Sequence, residues 1–78
     1  LLVPHQANLR ISQYIQEKLN LRDDQVYNNI QRYGNTTAAS IPIAMSEAWA
    51  EGKMKENDVI CLAAFGSGFT WASALIRW

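Results

Sequence analysis

The sequence predicts an α/β domain built on a mixed sheet, in the order β-α-β-α-β-β. Three observations predict it. A short apolar run, Leu1 to Val3, is closed by Pro4, which cannot continue a ladder. Two later stretches carry apolar residues at helical spacing. A continuous apolar run, Val59 to Phe65, meets the tight turn Gly66-Ser67-Gly68 and then a second run, Phe69 to Trp78. A turn that short makes those two runs antiparallel neighbours.

Taken in order, Leu1 to Val3 is the end of a buried strand. Asn8 to Leu19 is a helix, with Ile11, Tyr14, Ile15 and Leu19 on one apolar face. Asn8 suits its N-cap, Lys18 suits the dipole of its last turn, and Asn20 suits its stop. Arg22 to Asp24 is a polar connection. Val26 to Ile30, "VYNNI", is read as a short strand, and Gln31 to Thr36 as a loop. A second helix carries the stripe Ile41, Ala44, Met45, Ala48 and Trp49 and ends at Gly52. Pro42 is a first-turn residue if regular structure begins near Ser40; otherwise the first turn is distorted. "KMKEND" is read as an exposed turn. "VICLAAF" is read as a strand covered on both faces, as in a layered α/β sheet.

Composition narrows the function classes. The chain has 78 residues, 49% hydrophobic and 18% charged. That is too apolar for a disordered tail and rich for so small a chain, which has proportionally more surface to cover. The reading is a piece of a larger core, or a chain that buries one side against a partner. The opening Leu-Leu-Val-Pro, without Met, reads as an internal start. Seven Lys and Arg balance seven Asp and Glu, so there is no footprint for nucleic acid or an anionic membrane. No apolar run reaches the roughly 18 residues of a membrane span. The single cysteine, Cys61, excludes a disulfide framework and a cysteine-based metal site, and fits a reducing cytosol. Nothing has metal-ligand spacing.

Three loops are read as following strands: "PHQAN", "RYGNT" and "GSG". In open α/β sheets, ligands bind beyond the carboxyl ends of strands, so the three loops can meet at one edge. A neutral His5 can donate one N–H to a developing oxyanion; a histidine tied to loop backbone is an equal alternative. The Asn35 amide offers two N–H donors, though turn or cap duty is the commoner use of such an asparagine. Thr36 and Thr37 are read as caps. Gly66-Ser67-Gly68 can present backbone N–H groups, although a hairpin needs glycine anyway. Cys61, inside an apolar strand, reads as a small buried hydrophobe. No residue makes a convincing nucleophile.

"VPHQANLRI", "IQRYGNTTAASIP" and "AAFGSGFTWASALIRW" together closely resemble the C-terminal part of β-ketoacyl-acyl-carrier-protein synthase III, an initiating condensing enzyme of fatty-acid synthesis with a thiolase-like fold. The resemblance covers essentially the whole chain. It implies that His5 and Asn35 form an active site with a cysteine from the N-terminal half, which Cys61 does not match. They would bond the thioester oxygen of malonyl-acyl-carrier-protein as carbon dioxide leaves. It implies a carrier-protein docking segment at Gln6, Ala7, Asn8, Leu9 and Arg10, and a place beside the active site for Phe65. The substrates implied are an acyl-CoA and phosphopantetheine-linked malonyl-carrier-protein, with no covalently bound cofactor. The implied partners are acyl carrier protein, the N-terminal half and a second subunit of a cytoplasmic homodimer. One departure is Ser67, where such proteins usually show a third glycine; an oxyanion role through its backbone N–H remains open. The resemblance also implies an absent strand, expected between "LLVP" and "VICLAAF". A non-catalytic structural or carrier-protein-binding module of the same half-fold is the alternative reading.

Overall fold

In the computed structural model all 78 residues are described. Strand β1 is Leu2–Pro4, helix α1 is Leu9–Lys18, and a 3-10 turn covers Asp23–Gln25. A one-turn helix α2, Ile30–Tyr33, and a 3-10 turn, Thr37–Ala39, lead into α3, Ser40–Ala50. The hairpin β2, Val59–Gly66, and β3, Thr70–Arg77, closes the chain. The sheet order is β1-β2-β3, with β1 parallel to β2 and β2 antiparallel to β3. It is the mixed sheet the sequence predicts.

Two expectations about that sheet are corrected. No gap separates β1 from β2: Leu2 pairs with Cys61 and Pro4 with Ala63, and Cys61 N donates to Leu1 O at 2.8 Å. No strand needs to stand between them. "VYNNI" is not a ladder strand. Only Val26 bridges to Leu2, on the other edge of β1, with Tyr27 N donating to Leu2 O at 3.0 Å. The backbone then turns into α2, because the Asn29 and Ile30 N–H groups are drawn to a side chain rather than to a strand (below).

β1 is therefore flanked on both edges, and Leu2 and Val3 are buried. Val3 packs in one cluster with Tyr27, Ala44, Ala48, Met54 and Ile60. Complete burial of a Val, Ile or Met side chain is worth about 1.5–3 kcal/mol, so these few residues supply much of what holds α3 to the sheet. Ala44 and Ala48, one turn apart, let α3 lie close on β1 and β2. Met54 lies within the supposedly exposed "KMKEND" and is buried, because the backbone N–H groups of Lys53 and Met54 fold back to Ala48 O at 2.8 and 3.2 Å. Gly52 permits that reversal at φ +73°. Pro42 falls in the first turn of α3, as one of its two readings required.

Coverage of β2 is incomplete. Ile60 is fully buried, Cys61 to Ala64 are half-buried and Val59 and Phe65 are exposed, so the expectation that "VICLAAF" is covered on both faces is met only in part in this chain. Cys61 is accordingly half-buried rather than buried. α1 forms where expected, with the Asn8 side chain accepting from Arg10 N at 2.8 Å. Its expected apolar stripe faces outward: Ile11, Tyr14 and Leu19 are exposed, and Ile15 is half-buried. The inward residue is Ser12, whose hydroxyl donates to Asn28 Oδ1 at 2.6 Å. Hydrogen bonds, not the stripe, set the rotation of this helix.

Candidate active site

The carboxyl end of β1 delivers His5. Its backbone N–H continues the ladder, donating to Ala63 O at 2.7 Å, so the residue is held although it lies one position past the strand. The imidazole is half-buried. Asn35 arrives from the other side, past α2 rather than past a strand. Gly34 N donates to Ile30 O at 2.7 Å, and the chain then leaves α2 at φ +66°, ψ −158°, a conformation essentially restricted to glycine. Asn35 Oδ1 accepts from Thr37 N at 2.8 Å. The acceptor end of the amide is thus occupied, and its two N–H donors have no partner in the chain. The threonines do not cap with their side chains as expected. Thr37 Oγ1 donates to Thr36 O, and Thr36 Oγ1 meets the buried Ser40 Oγ at 3.1 Å. The hydroxyls tie the loop to the start of α3, whose own N-cap, Ala39, has no side chain to offer.

His5, Asn35 and Thr37 line one open cavity of about 670 Å³, together with Phe65 and Ser67 from the β2–β3 turn and Ile11, Ala38 and Ile41 as apolar wall. The three loops do converge. At the turn, Gly66 and Gly68 have separate reasons to be glycine. A Cβ on Gly66 would stand 2.8 Å from Thr70 Oγ1, and Gly68 has φ +74°. Ser67 lies outside the positive-φ region, so the departure from three glycines costs the turn no backbone strain. Cys61 belongs to a different hollow, with Leu1, Leu19 and Leu75, and does not face His5.

The docking segment divides. Ala7, Asn8, Leu9 and Arg10 are exposed, and Arg10 is in no ion pair. Gln6 is not available to a partner: it is 3% exposed. Its Nε2 donates to Pro4 O at 2.7 Å, and its Oε1 accepts from Asn29 N at 3.0 Å and Ile30 N at 3.1 Å.

A polar cluster behind α2 escaped the sequence reading. Glu47 of α3 accepts from Arg32 Nη2 at 2.6 Å, Tyr33 Oη at 2.5 Å and Asn29 Nδ2 at 3.0 Å. Tyr27 Oη lies 2.5 Å from Glu51 Oε2 and 3.3 Å from Glu47 Oε2, so its single proton goes to Glu51. The bond from Tyr33, then that from Asn29, holds the Glu47 carboxyl below the usual range. Burial, then the bond to Glu51, pushes the Tyr27 phenol well above its own. The available signal was compositional: Tyr27, Asn29, Arg32 and Tyr33 put four side-chain donors within seven residues.

A family profile described as 3-oxoacyl-[acyl-carrier-protein (ACP)] synthase III C terminal matches residues 1–78. The chain belongs to this family. A β-ketoacyl-[acyl-carrier-protein] synthase III of Campylobacter jejuni is 58% identical over 77 residues, which is 99% of this chain and 24% of that protein. Its counterpart in Desulfotalea psychrophila is 54% identical over 78 residues, again 24% of the protein. The crystal structure of the Aquifex aeolicus 3-oxoacyl-[acyl-carrier-protein] synthase III superimposes with TM-score 0.96 at 54% identity, covering all of this chain and 25% of that one. The chain thus spans about a quarter of the length of its synthase III relatives. Its fold is the C-terminal part of the thiolase-like α/β architecture, with β1 directly beside β2.

Proposed function

We propose that this chain is the C-terminal catalytic portion of a synthase III that decarboxylates malonyl-acyl-carrier-protein and joins it to a starter acyl group. One observation carries the reading. His5 and Asn35 line the same cavity, and the Asn35 amide oxygen accepts from Thr37 N while its N–H donors bond nothing in the chain, which leaves them for a ligand.

The chemistry follows from that arrangement. When the carbon–carboxylate bond of the malonyl thioester breaks, its electron pair moves into the thioester and negative charge collects on the carbonyl oxygen, while carbon dioxide departs. Two fixed N–H donors, from His5 and Asn35, stabilise that enolate in a partly apolar cavity. The enolate carbon then attacks an acyl group held as a thioester on a cysteine supplied by the rest of the protein, and the cysteine thiolate leaves. Phe65 stands beside the reacting atoms. Ser67 offers a backbone N–H as an oxyanion donor for the acyl carbonyl. Asn8 and Arg10, on the exposed start of α1, meet the phosphopantetheine arm and the acidic surface of the carrier protein. The starter comes from an acyl-CoA. A cytoplasmic homodimer completes the reading, on the strength of the family likeness.

Asn35→Asp tests it in the complete enzyme. Aspartate keeps an oxygen for Thr37 N, so the loop is retained, but it replaces the two donors with a charge that repels the enolate. Carbon dioxide release from malonyl-carrier-protein should fall about 100- to 1000-fold. Acyl transfer to the cysteine should change far less. If acylation collapses while decarboxylation stays within a few-fold of the parent, Asn35 only orders its loop.

A further inference from the structure

We infer that Gln6 is a positioning residue that couples the two donor loops, an inference that rests on the reading of His5 and Asn35 as enolate donors. Gln6 directly follows His5, and its side chain is buried and bonded in two directions. Toward its own loop, Nε2 donates to Pro4 O at 2.7 Å, across the peptide that leads into His5. Toward the other loop, Oε1 accepts from both Asn29 N and Ile30 N. Those are the N–H groups that open α2, whose other end carries Gly34 and Asn35.

A one-turn helix cannot hold itself in water, because nucleation fixes several residues for a single bond. Few contacts place α2. Glu47 holds Asn29, Arg32 and Tyr33 from the α3 side, and Gln6 holds the first two N–H groups from the β1 side. Among the hydrogen bonds of α2, those of Gln6 are the ones that reach the segment bearing His5, and they add to the Tyr27 N to Leu2 O bond just ahead of the helix. The side chain therefore helps set how far apart the two donors stand, together with the bonds that tie the Asn35 loop to α3. Both must reach one oxygen, and a misplacement near 1 Å at a reacting centre costs on the order of 100-fold in rate.

The test is a double-mutant cycle in the complete enzyme. Gln6→Met keeps the volume and removes all three hydrogen bonds. In the parent background, decarboxylation of malonyl-carrier-protein should fall roughly 10- to 100-fold, with acyl transfer to the cysteine changing less than about threefold. In an Asn35→Ala background, the same substitution should cost less than about threefold, because the donor it positions is gone. A merely structural glutamine would give equal losses in both backgrounds, and in both half-reactions; that result overturns the inference. If Gln6→Met does not fold, Gln6→Asn serves in the same cycle: one methylene shorter, it leaves the site polar but withdraws the oxygen from Asn29 and Ile30. Should Asn35→Ala alone leave decarboxylation unchanged, the donor reading itself fails and the inference falls with it, a result distinct from equal losses.

Discussion

Gly34 shows how one residue can be dictated by backbone geometry alone. Its φ and ψ lie where side-chain-bearing residues are strained, and its N–H closes α2 while its carbonyl side releases the chain toward Asn35. The next residue can then be chosen for chemistry, and the carboxamide uses one end for the turn and leaves the other free. Arg10 is a contrasting case, since nothing in the chain explains its charge. It is exposed and unpaired at the start of a helix, where the dipole slightly disfavours a cation. The proposed docking of an acidic carrier protein would give that charge a use. In the complete enzyme, Arg10→Glu should lower kcat/KM for the carrier-protein substrate roughly tenfold at low salt, with the gap closing as salt is added. Acylation by an acyl-CoA should be spared. Equal losses with both substrates would instead mean that the helix has been disturbed.

Among the elements, α2 is the least self-sufficient and the most heavily tethered. Glu47 gathers donors from three of its flanking and internal residues, so the anchoring depends on a carboxylate. The folded protein holds that carboxyl below the ordinary range, with the Tyr33 bond as the leading cause. A carboxyl depressed on folding contributes stability that is fully present above its unfolded value, about 4.3, and is lost as the pH falls through its folded value. Comparing the complete enzyme with Glu47→Gln should therefore show a difference in Tm that is wide near pH 7 and shrinks below about pH 4. A difference that stays constant across that range would mean that the charge of Glu47 does not anchor α2. α1 raises a different question, because its buried residue is the polar Ser12 while Ile11, Tyr14 and Leu19 of its stripe stay exposed. The stripe is legible in the sequence, but within these 78 residues it is not fully covered.

Across the whole molecule, 12 of 78 residues are buried, and large apolar side chains stand open, among them Phe69 at 93%, Trp71 at 74% and Leu75 at 73%. They belong to the β2–β3 turn and to β3, an edge strand with its outer hydrogen-bonding groups unpaired. Such a surface is a template for association. No helix is long and apolar enough to cross a membrane. The isolated 78-residue chain should bind a dye such as ANS and melt broadly. A sharp cooperative melt of a soluble monomer would count against this. The same isolated chain should give no ketoacyl product from acetyl-CoA and malonyl-carrier-protein, since its only thiol, Cys61, does not face His5 and Asn35.

The sequence by itself determined the two long helices, the hairpin, the cap at Asn8 and the glycine at the Asn35 loop. It also singled out His5, Asn35 and Ser67, and the family resemblance added Phe65; the fold brings all four to one cavity. The elements among these are short-range matters: a 3.6-residue period, a cap, a turn that demands positive φ; the strand-end signal held for His5 but not for Asn35, which follows α2. Tertiary structure alone decided the rest. "VYNNI" has the β-branched and aromatic residues of a strand, yet becomes a bridge and a helical turn, because one edge of β1 and the Gln6 oxygen compete for its N–H groups. The direct pairing of β1 with β2, the outward stripe of α1 and the burial of Met54 depend on which distant surface is nearest. By resemblance Gln6 belonged to a docking segment; only the fold, by setting two backbone N–H groups against its oxygen, buries it.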